Sequence, residues 1–257
     1  SWHADSSGVV RLGTGWRLGR LRIYYRSGPD ADLRLIEKLK ADEIEDKFWD
    51  VAQIVSGSDH GHVLHEGPSG RVGLYIFDLS TREPVELVYE HPEHDVESVL
   101  FRDGKPVGAF FTDVRDRAHW LDAGYAETYA QLERSLTQNE IWVISRAKDN
   151  SRMLVRAGSE ADPGLIYNYD VTGKRMEVLV EMRPEIDITH LAVPKPIAYT
   201  ARDGTRVHGY LTLPRGREAS GLPLIILPHG GPYGIRDKLD YDDQVQLLAN
   251  RGYAVLQ

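Results

Sequence analysis

The chain has 257 residues, 41% of them hydrophobic, with 24 glycines; this composition can bury a core and excludes a disordered or collagen-like chain, and at ~150 residues per domain it suits one large domain or two smaller ones. Lys and Arg number 31 against 39 Asp and Glu, a formal charge of −8, and the cations are scattered rather than gathered into the positive face that phosphate binding needs, so no nucleic-acid partner is expected. The absence of cysteine removes disulfides, thiolate metal sites and a cysteine nucleophile; it leaves the compartment open, with cytoplasm favoured.

The chain opens at Ser1 without a basic-then-apolar leader and closes on Tyr253-Ala254-Val255-Leu256-Gln257, which reads as a buried strand with nothing after it. A piece of a longer chain is expected. Between these ends a repeat is visible. Gly73-Leu74-Tyr75-Ile76-Phe77-Asp78-Leu79-Ser80-Thr81 resembles Gly164-Leu165-Ile166-Tyr167-Asn168-Tyr169-Asp170-Val171-Thr172, and the offset of 92 residues also relates Leu87-Val88 to Leu179-Val180 and Asp95-Val96 to Asp187-Ile188.

Short strand-like runs separated by turn residues group in fours: 51–55, 62–66, 73–79 and 85–89, then a group from Glu97 and another from Glu140 to Glu181, so the offset spans two units. Residues 1–46 supply a further unit, with 21–26 and 33–39 as its outer strands. Four strands recurring every ~40 to 50 residues is the pattern of β-propeller blades. The middle group is interrupted where Tyr125, Tyr129, Leu132 and Leu136 form one apolar face of a helix over about 122–136, read as a covering insertion.

After Met182 the pattern changes. Pro184, Pro194 and Pro196 mark a connector, because the residue before each proline is pushed out of helix. The expected organisation is therefore a partial β-propeller of about four blade units over 1–183, a connector over 184–196, and the opening of an α/β-hydrolase domain over 197–257. Residues 196–201 and 206–213 read as an antiparallel pair turned at Asp203-Gly204. Leu222-Pro223-Leu224-Ile225-Ile226-Leu227 reads as a strand buried on both faces. A helix follows over 241–250 with Val245, Leu248 and Ala249 inward, ending at Arg251-Gly252, and 253–256 is a second buried strand. Strand, crossover helix, strand opens a parallel sheet. The fold class is mainly β, a partial propeller of four-stranded blades followed by the first strands and helix of an α/β-hydrolase domain. The longest apolar run, Leu224-Ile225-Ile226-Leu227, falls far short of the ~20 residues that span a bilayer, so a soluble protein with no membrane partner is expected.

The sharpest motif is His229-Gly230-Gly231-Pro232-Tyr233-Gly234, at the carboxyl end of the first apolar strand and ahead of its helix. Ligands of open α/β sheets bind at that end, and glycines there bring backbone N–H groups close to developing negative charge. A plain tight turn needing positive φ is the structural alternative.

With these residues in view, the chain resembles the prolyl oligopeptidase family of serine peptidases. The resemblance is carried by a propeller running through a proline-marked connector into Tyr199-Thr200-Ala201-Arg202-Asp203-Gly204, Gly209-Tyr210-Leu211-Thr212-Leu213-Pro214, Leu227-Pro228-His229-Gly230-Gly231-Pro232 and Leu248-Ala249-Asn250-Arg251-Gly252-Tyr253. The His-Gly-Gly-Pro form is most like the acylaminoacyl-peptidase branch. What the resemblance implies is a hydrolase of short peptides or acyl-peptides acting through an acyl-enzyme, with the propeller capping the site. It makes His229, Gly230, Gly231, Pro232 and Tyr233 an oxyanion loop. In the prolyl oligopeptidase and dipeptidyl-peptidase branches the position matching His229 is a tyrosine. Here loop geometry and backbone N–H groups are the expected contribution, and His229 itself is either a participant or a structural residue.

The family's triad runs Ser, Asp, His, with the serine in a Gly-x-Ser-x-Gly elbow. No serine of this chain has glycine on both sides at that spacing; Ser69 follows Gly67 but precedes Arg71. The triad is expected beyond Gln257, and the chain by itself is expected to be inactive. An incomplete propeller exposes unpaired edges, so the isolated chain is expected to be marginal or self-associating. The alternative is a non-catalytic propeller that binds a peptide or protein and carries a vestigial tail, against which stand the two apolar strands and the intact loop.

No cofactor or metal is expected. His60, His62 and His65 near Asp59 and Glu66 are zinc-suited types, but on a strand His62 and His65 face opposite sides, and His60-Gly61 reads as a turn. His91 and His94 beside Asp95 read as a solvated loop. Asp42-Glu43-Ile44-Glu45-Asp46 could draw a substrate's free amine, although a polar loop between blades is the plainer reading.

Overall fold

A computed structural model describes residues 1–44, 50–137, 140–231 and 235–257. The chain divides into two compact units, Ser1–Ala126 and Glu127–Gln257.

The first unit begins with β1 (Trp2–Ala4), β2 (Val10–Arg17), β3 (Arg20–Tyr25) and β4 (Arg34–Lys40), an antiparallel sheet in chain order. A second sheet repeats that order with β5 (Asp50–Ile54), β6 (His60–Glu66), β7 (Val72–Asp78) and β8 (Glu83–Tyr89). Period-two burial explains why these runs pair as they do: along β3, Leu21, Ile23 and Tyr25 are buried and their neighbours are not, as alternating side chains dictate. That row meets Leu12, Leu39, Val51, Ile54, Val63, Phe77 and Leu79 in one core between the two sheets. Leu64, Leu74, Val96 and Ala109 form the next core, between the second sheet and a third made of β9 (Ser98–Arg102), β10 (Lys105–Thr112) and β11 (Asp116–Trp120).

That third sheet has three strands among the described residues, where the sequence pattern suggests four. The reason is a helix start. The Asp122 carboxylate accepts the Tyr125 N–H at 3.0 Å, satisfying an orphan donor of the first turn, and α1 (Ala123–Ser135) follows where a fourth strand would begin. Tyr125 stacks on Trp120 at 5.9 Å.

In the second unit, β12 (Glu140–Arg146), β13 (Arg152–Ser159), β14 (Asp162–Asp170) and β15 (Arg175–Glu181) form another four-stranded antiparallel sheet in chain order. Leu132 and Leu136 at the end of α1 pack with Met153, Val155, Ala157 and Tyr169 from that sheet. The 92-residue repeat has a structural meaning: β7 and β14 are the third strands of their sheets, and each ends in an aspartate that closes the turn. Asp78 accepts the Ser80 and Thr81 N–H groups at 2.8 and 3.1 Å, and Asp170 accepts the Gly173 N–H at 2.8 Å.

The chain continues through the proline-rich stretch into β16 (Lys195–Thr200), β17 (Arg206–Thr212), β18 (Leu224–Ile226), α2 (Asp243–Asn250) and β19 (Ala254–Leu256). Sheet order is β16-β17-β19-β18, with β18 parallel to β19 and the other pairs antiparallel. Gly204, at φ +90°, makes the β16–β17 turn. Val255 is fully buried, but Leu224 and Ile226 are 54% and 67% exposed, which corrects the expectation that both apolar strands are covered. Among the described residues strand β18 pairs on one side only, with β19, so its apolar side chains lie at an open edge. No helix among the described residues is long and apolar enough to cross a membrane.

Candidate functional site

The β18–β19 ladder extends past its last strand residue, because the Leu227 N–H donates to the Leu256 carbonyl at 2.8 Å. Pro228 then leads the chain off the sheet into His229, Gly230 and Gly231, all exposed. Pro232 and Tyr233, the other residues singled out from the sequence, lie outside the described residues. Gly231 has φ +78°, and a Cβ there would meet the Ile235 side chain at 2.8 Å. The left-handed backbone is what favours glycine at that position, since the Ile235 tip is exposed and can move aside. A Cβ on Gly230 would meet nothing, so that residue leaves its surface open to an approaching group.

His229 is not a core residue. Its Nδ1 donates to the Gly230 carbonyl at 2.9 Å, which makes Nε2 the acceptor nitrogen of the neutral ring and ties the imidazole to the loop. Asp237, half-buried further along, has its carboxyl pushed up, first by burial and then by Asp242, with the charge of His229 opposing the shift. The loop ends at Asp242, whose side chain caps α2 by accepting the Val245 N–H at 2.8 Å.

What the arrangement offers is two exposed glycines and one imidazole at the carboxyl end of a parallel strand, the end at which open α/β sheets receive their ligands.

The remaining sequence candidates separate. The strand β6 begins at His60, so His60-Gly61 is not a turn; the turn falls at 55–59, closed by the Val55 N–H on the His60 carbonyl at 3.0 Å. Gly61 is instead a close-approach residue, since a Cβ would lie 3.0 Å from the Gln53 carbonyl. His62 is buried against Phe101 with ring centroids 5.2 Å apart, and His65 sits edge-on to Tyr75 and Phe77. His91 and His94 are half-buried rather than solvated, stacked on Phe111 at 4.1 and 5.8 Å. Asp42 and Glu43 lie in a short 3-10 turn, and Glu45 and Asp46 fall outside the described residues. Among the described residues no group of three or more His, Asp or Glu side chains could hold a metal.

Sequence reasoning missed the groups around the start of α2. Arg183 pairs with Asp243, Nη2 to Oδ2 at 2.7 Å and Nε to Oδ1 at 3.3 Å, and the Tyr241 hydroxyl donates to Asp243 Oδ1 at 2.9 Å. The guanidinium, ahead of the Tyr241 hydrogen bond, holds the Asp243 carboxyl below its usual range. Burial and then Asp243 push the Tyr241 hydroxyl up to about 12. Gln246 is 4% exposed and bonds to the backbone of Ala192. The available signal was a glutamine beside Val245 and Ala249 on the inward face of a helix.

No family model matches the chain. It is 31% identical over 255 residues, 92% of its length, to dipeptidyl aminopeptidase BIII of Pseudoxanthomonas mexicana, and 25% identical over 207 residues, 72% of its length, to dipeptidyl peptidase family member 6 of Caenorhabditis elegans. It spans 36% of the first relative and 28% of the second. Among solved structures, a prolyl endopeptidase superposes over 100% of this chain and 37% of its own with TM-score 0.65 at 15% identity. Puromycin hydrolase does so over 99% and 40% with TM-score 0.61 at 18% identity. Successive four-stranded antiparallel sheets, a short mixed sheet with a glycine loop, and these likenesses in sequence and fold converge: the chain belongs to the prolyl oligopeptidase family of peptidases.

Proposed function

We infer that these residues form part of a serine peptidase that hydrolyses short peptides or acyl-peptides through an acyl-enzyme. In this reading His229, Gly230, Gly231, Pro232 and Tyr233 make the oxyanion loop, and the Ser, Asp and His of the triad come from chain outside residues 1–257. The domain plan is a partial propeller over 1–183, a connector over 184–196 and the start of the hydrolase domain over 197–257.

The observation that carries this reading is the position of Gly230 and Gly231, exposed at the carboxyl end of a strand that runs parallel to its neighbour and feeds a crossover helix. Backbone donors fixed there stabilise the negative oxygen formed when a serine attacks a carbonyl, and they act only with a nucleophile and base in place. Peptides as the substrate class are supported by the dipeptidyl aminopeptidase relative. The exposed edge at Leu224 and Ile226 supports self-association of the isolated chain.

The test is to treat the protein that carries this segment, and the 257-residue chain alone, with a fluorophosphonate and with dipeptidyl and acyl-amino-acid chromogenic substrates. The larger protein is expected to turn over at least one substrate and to carry the label on a serine outside residues 1–257, with the chain alone doing neither. Labelling at a serine within the 257 residues, or no turnover of any peptide by the larger protein, refutes the reading.

A further inference from the structure

We propose that His91 is an acid-released cap, a device independent of the hydrolase reading above. Its neutral imidazole closes the turn 91–94 over Phe111, and a proton added at Nδ1 opens that turn.

Residues 90–97 join β8 to β9. The second half of this loop is held by bonds that need no histidine. The Asp95 carboxylate accepts the Val72 N–H at 2.8 Å, and the Val96 N–H donates to the Val72 carbonyl at 2.8 Å, with the Val96 side chain buried. Ahead of these ties the chain turns, and two donors of the turn go to one side-chain atom. His91 Nδ1 accepts both the Glu93 and the His94 N–H groups, each at 3.1 Å. An aspartate or asparagine closes a turn in the same manner. Histidine differs from both in that a proton abolishes the acceptor.

The bonding fixes the state of the ring. A nitrogen that accepts carries no hydrogen, so the ring is neutral with its own proton on Nε2. A second proton goes to Nδ1, where it displaces the lone pair that the two N–H groups share, and both bonds are lost together. The closed turn therefore binds one proton fewer than the open turn, so neutral pH favours the closed form and acid the open form. His94 adds to the effect. Its ring stacks on His91 with centroids 5.0 Å apart, and both rings lie on Phe111, at 4.1 and 5.8 Å. Two imidazolium charges at that spacing repel, and opening the turn separates them and uncovers the half-buried Phe111 ring.

The charged and titratable groups around His91 leave this preference in place. On its own loop Glu90 is engaged by the Tyr75 hydroxyl and Asp95 by the Val72 N–H, while Glu93 is exposed. From the β6–β7 turn, Arg71 donates from Nε to the Pro92 carbonyl at 3.0 Å and sets a fixed cation beside the turn. Opposite Phe111 on β11, Arg117 is paired with Asp113, and His119 stacks on Tyr89 at 4.0 Å.

The experiment reads hydrogen exchange at the amides of 93 and 94 in the protein that carries this segment, each rate divided by its intrinsic value at the same pH. In wild type, protection is expected to fall about 10-fold between about pH 7.5 and about pH 5, the range over which histidines take up their proton. His91→Asn supplies an acceptor oxygen that does not titrate, and its protection is expected to stay within about twofold over that range. His91→Phe keeps a ring on Phe111 without an acceptor and is expected to be as open at the higher pH as wild type is at the lower. General loosening in acid acts on the variants as on wild type, so the difference between them isolates His91.

Equal wild-type protection at the two pH values overturns the proposal. So does a His91→Asn protein whose protection falls with pH as the wild type's does, because another group then operates the turn. Wild-type protection in His91→Phe at the higher pH overturns it as well, because the cap then holds nothing.

Discussion

Arg11 donates from Nη2 to the Tyr25 hydroxyl at 3.0 Å while its guanidinium carbon lies 5.7 Å from the centre of the same ring. The guanidinium is almost wholly buried and also reaches Asp5, Asp59 and the carbonyls of Arg26 and Ser58; Tyr25 in turn donates to Asp59. One cation thus joins the β2–β3 hairpin of the first sheet to the β5–β6 turn of the second. Removing it leaves the buried Asp5 carboxylate with its Ser7 and Val9 hydrogen bonds but without a counter-charge, so Arg11→Leu is expected to cost about 3 kcal/mol, read by urea unfolding. Pairing it with Asp5→Asn is expected to recover part of that loss. Equal stability of Arg11→Leu and wild type refutes the account.

Acid sensitivity is expected from His62. Burial depresses the pKa of this imidazole below its ordinary 6.5, and its Nδ1 has no partner among the described residues. The folded state favours the neutral ring, so the unfolded chain takes up the proton first. The contribution of His62 to stability is complete above pH 6.5 and falls as pH drops through 6.5 toward the depressed folded value. Replacing it with phenylalanine is expected to flatten the slope of the urea midpoint between about pH 6.5 and 5; an unchanged slope argues against this role.

The helix α1 is expected to depend on its last two apolar contacts. Leu132 is fully buried against Met153, Val155, Ala157 and Tyr169, so Leu132→Ala is expected to cost about 2–5 kcal/mol through lost transfer energy and a residual cavity. Its exposed neighbour Glu133 serves as the control, with Glu133→Ala within about 0.5 kcal/mol of wild type. Thermal melts of both variants compare them directly.

Adjacent glycines of the loop are expected to behave differently. Gly231→Ala puts a side chain into a left-handed conformation and into Ile235, a strain of about 1–2 kcal/mol that shifts the backbone donors. Gly230→Ala meets nothing. In the protein that carries this segment, kcat is expected to fall at least 10-fold for Gly231→Ala and to stay within about threefold for Gly230→Ala, with KM near wild type in both. Equal kinetics for the two would remove the loop's backbone from the mechanism.

Much of the architecture was legible because its signals are local. Period-two burial in β3, the Asp-closed turns after β7 and β14, and the glycine turn at Gly204 are each set by a few neighbouring residues. The stop of the third sheet at three described strands is local too, because the Asp122 cap starts the helix read over 122–136. Two features were not local. His60-Gly61 has turn composition, yet the pair lies in β6, where Gly61 gives room to the Gln53 carbonyl of the neighbouring strand β5. The exposure of Leu224 and Ile226 depends on how many strands flank β18, which no property of the run itself encodes. Within the candidate site, the loop residues were readable from the glycines, but Arg183 and Gln246 were not. Their partners lie 60 and 54 residues away, and only the folded chain brings them together.

The contact of Gln246 with Ala192 carries an evolutionary consequence. Gln246 bonds to the main-chain atoms of the buried Ala192, which every residue type supplies, so packing limits the side chain there but a change of it needs no matching change in the helix. Sequence variation at 192 should then show no correlated variation at 246, and homologues should keep an amide at the helix position while the connector diverges. A joint of this kind is inherited through a single codon, which hides it from methods that search for co-varying pairs.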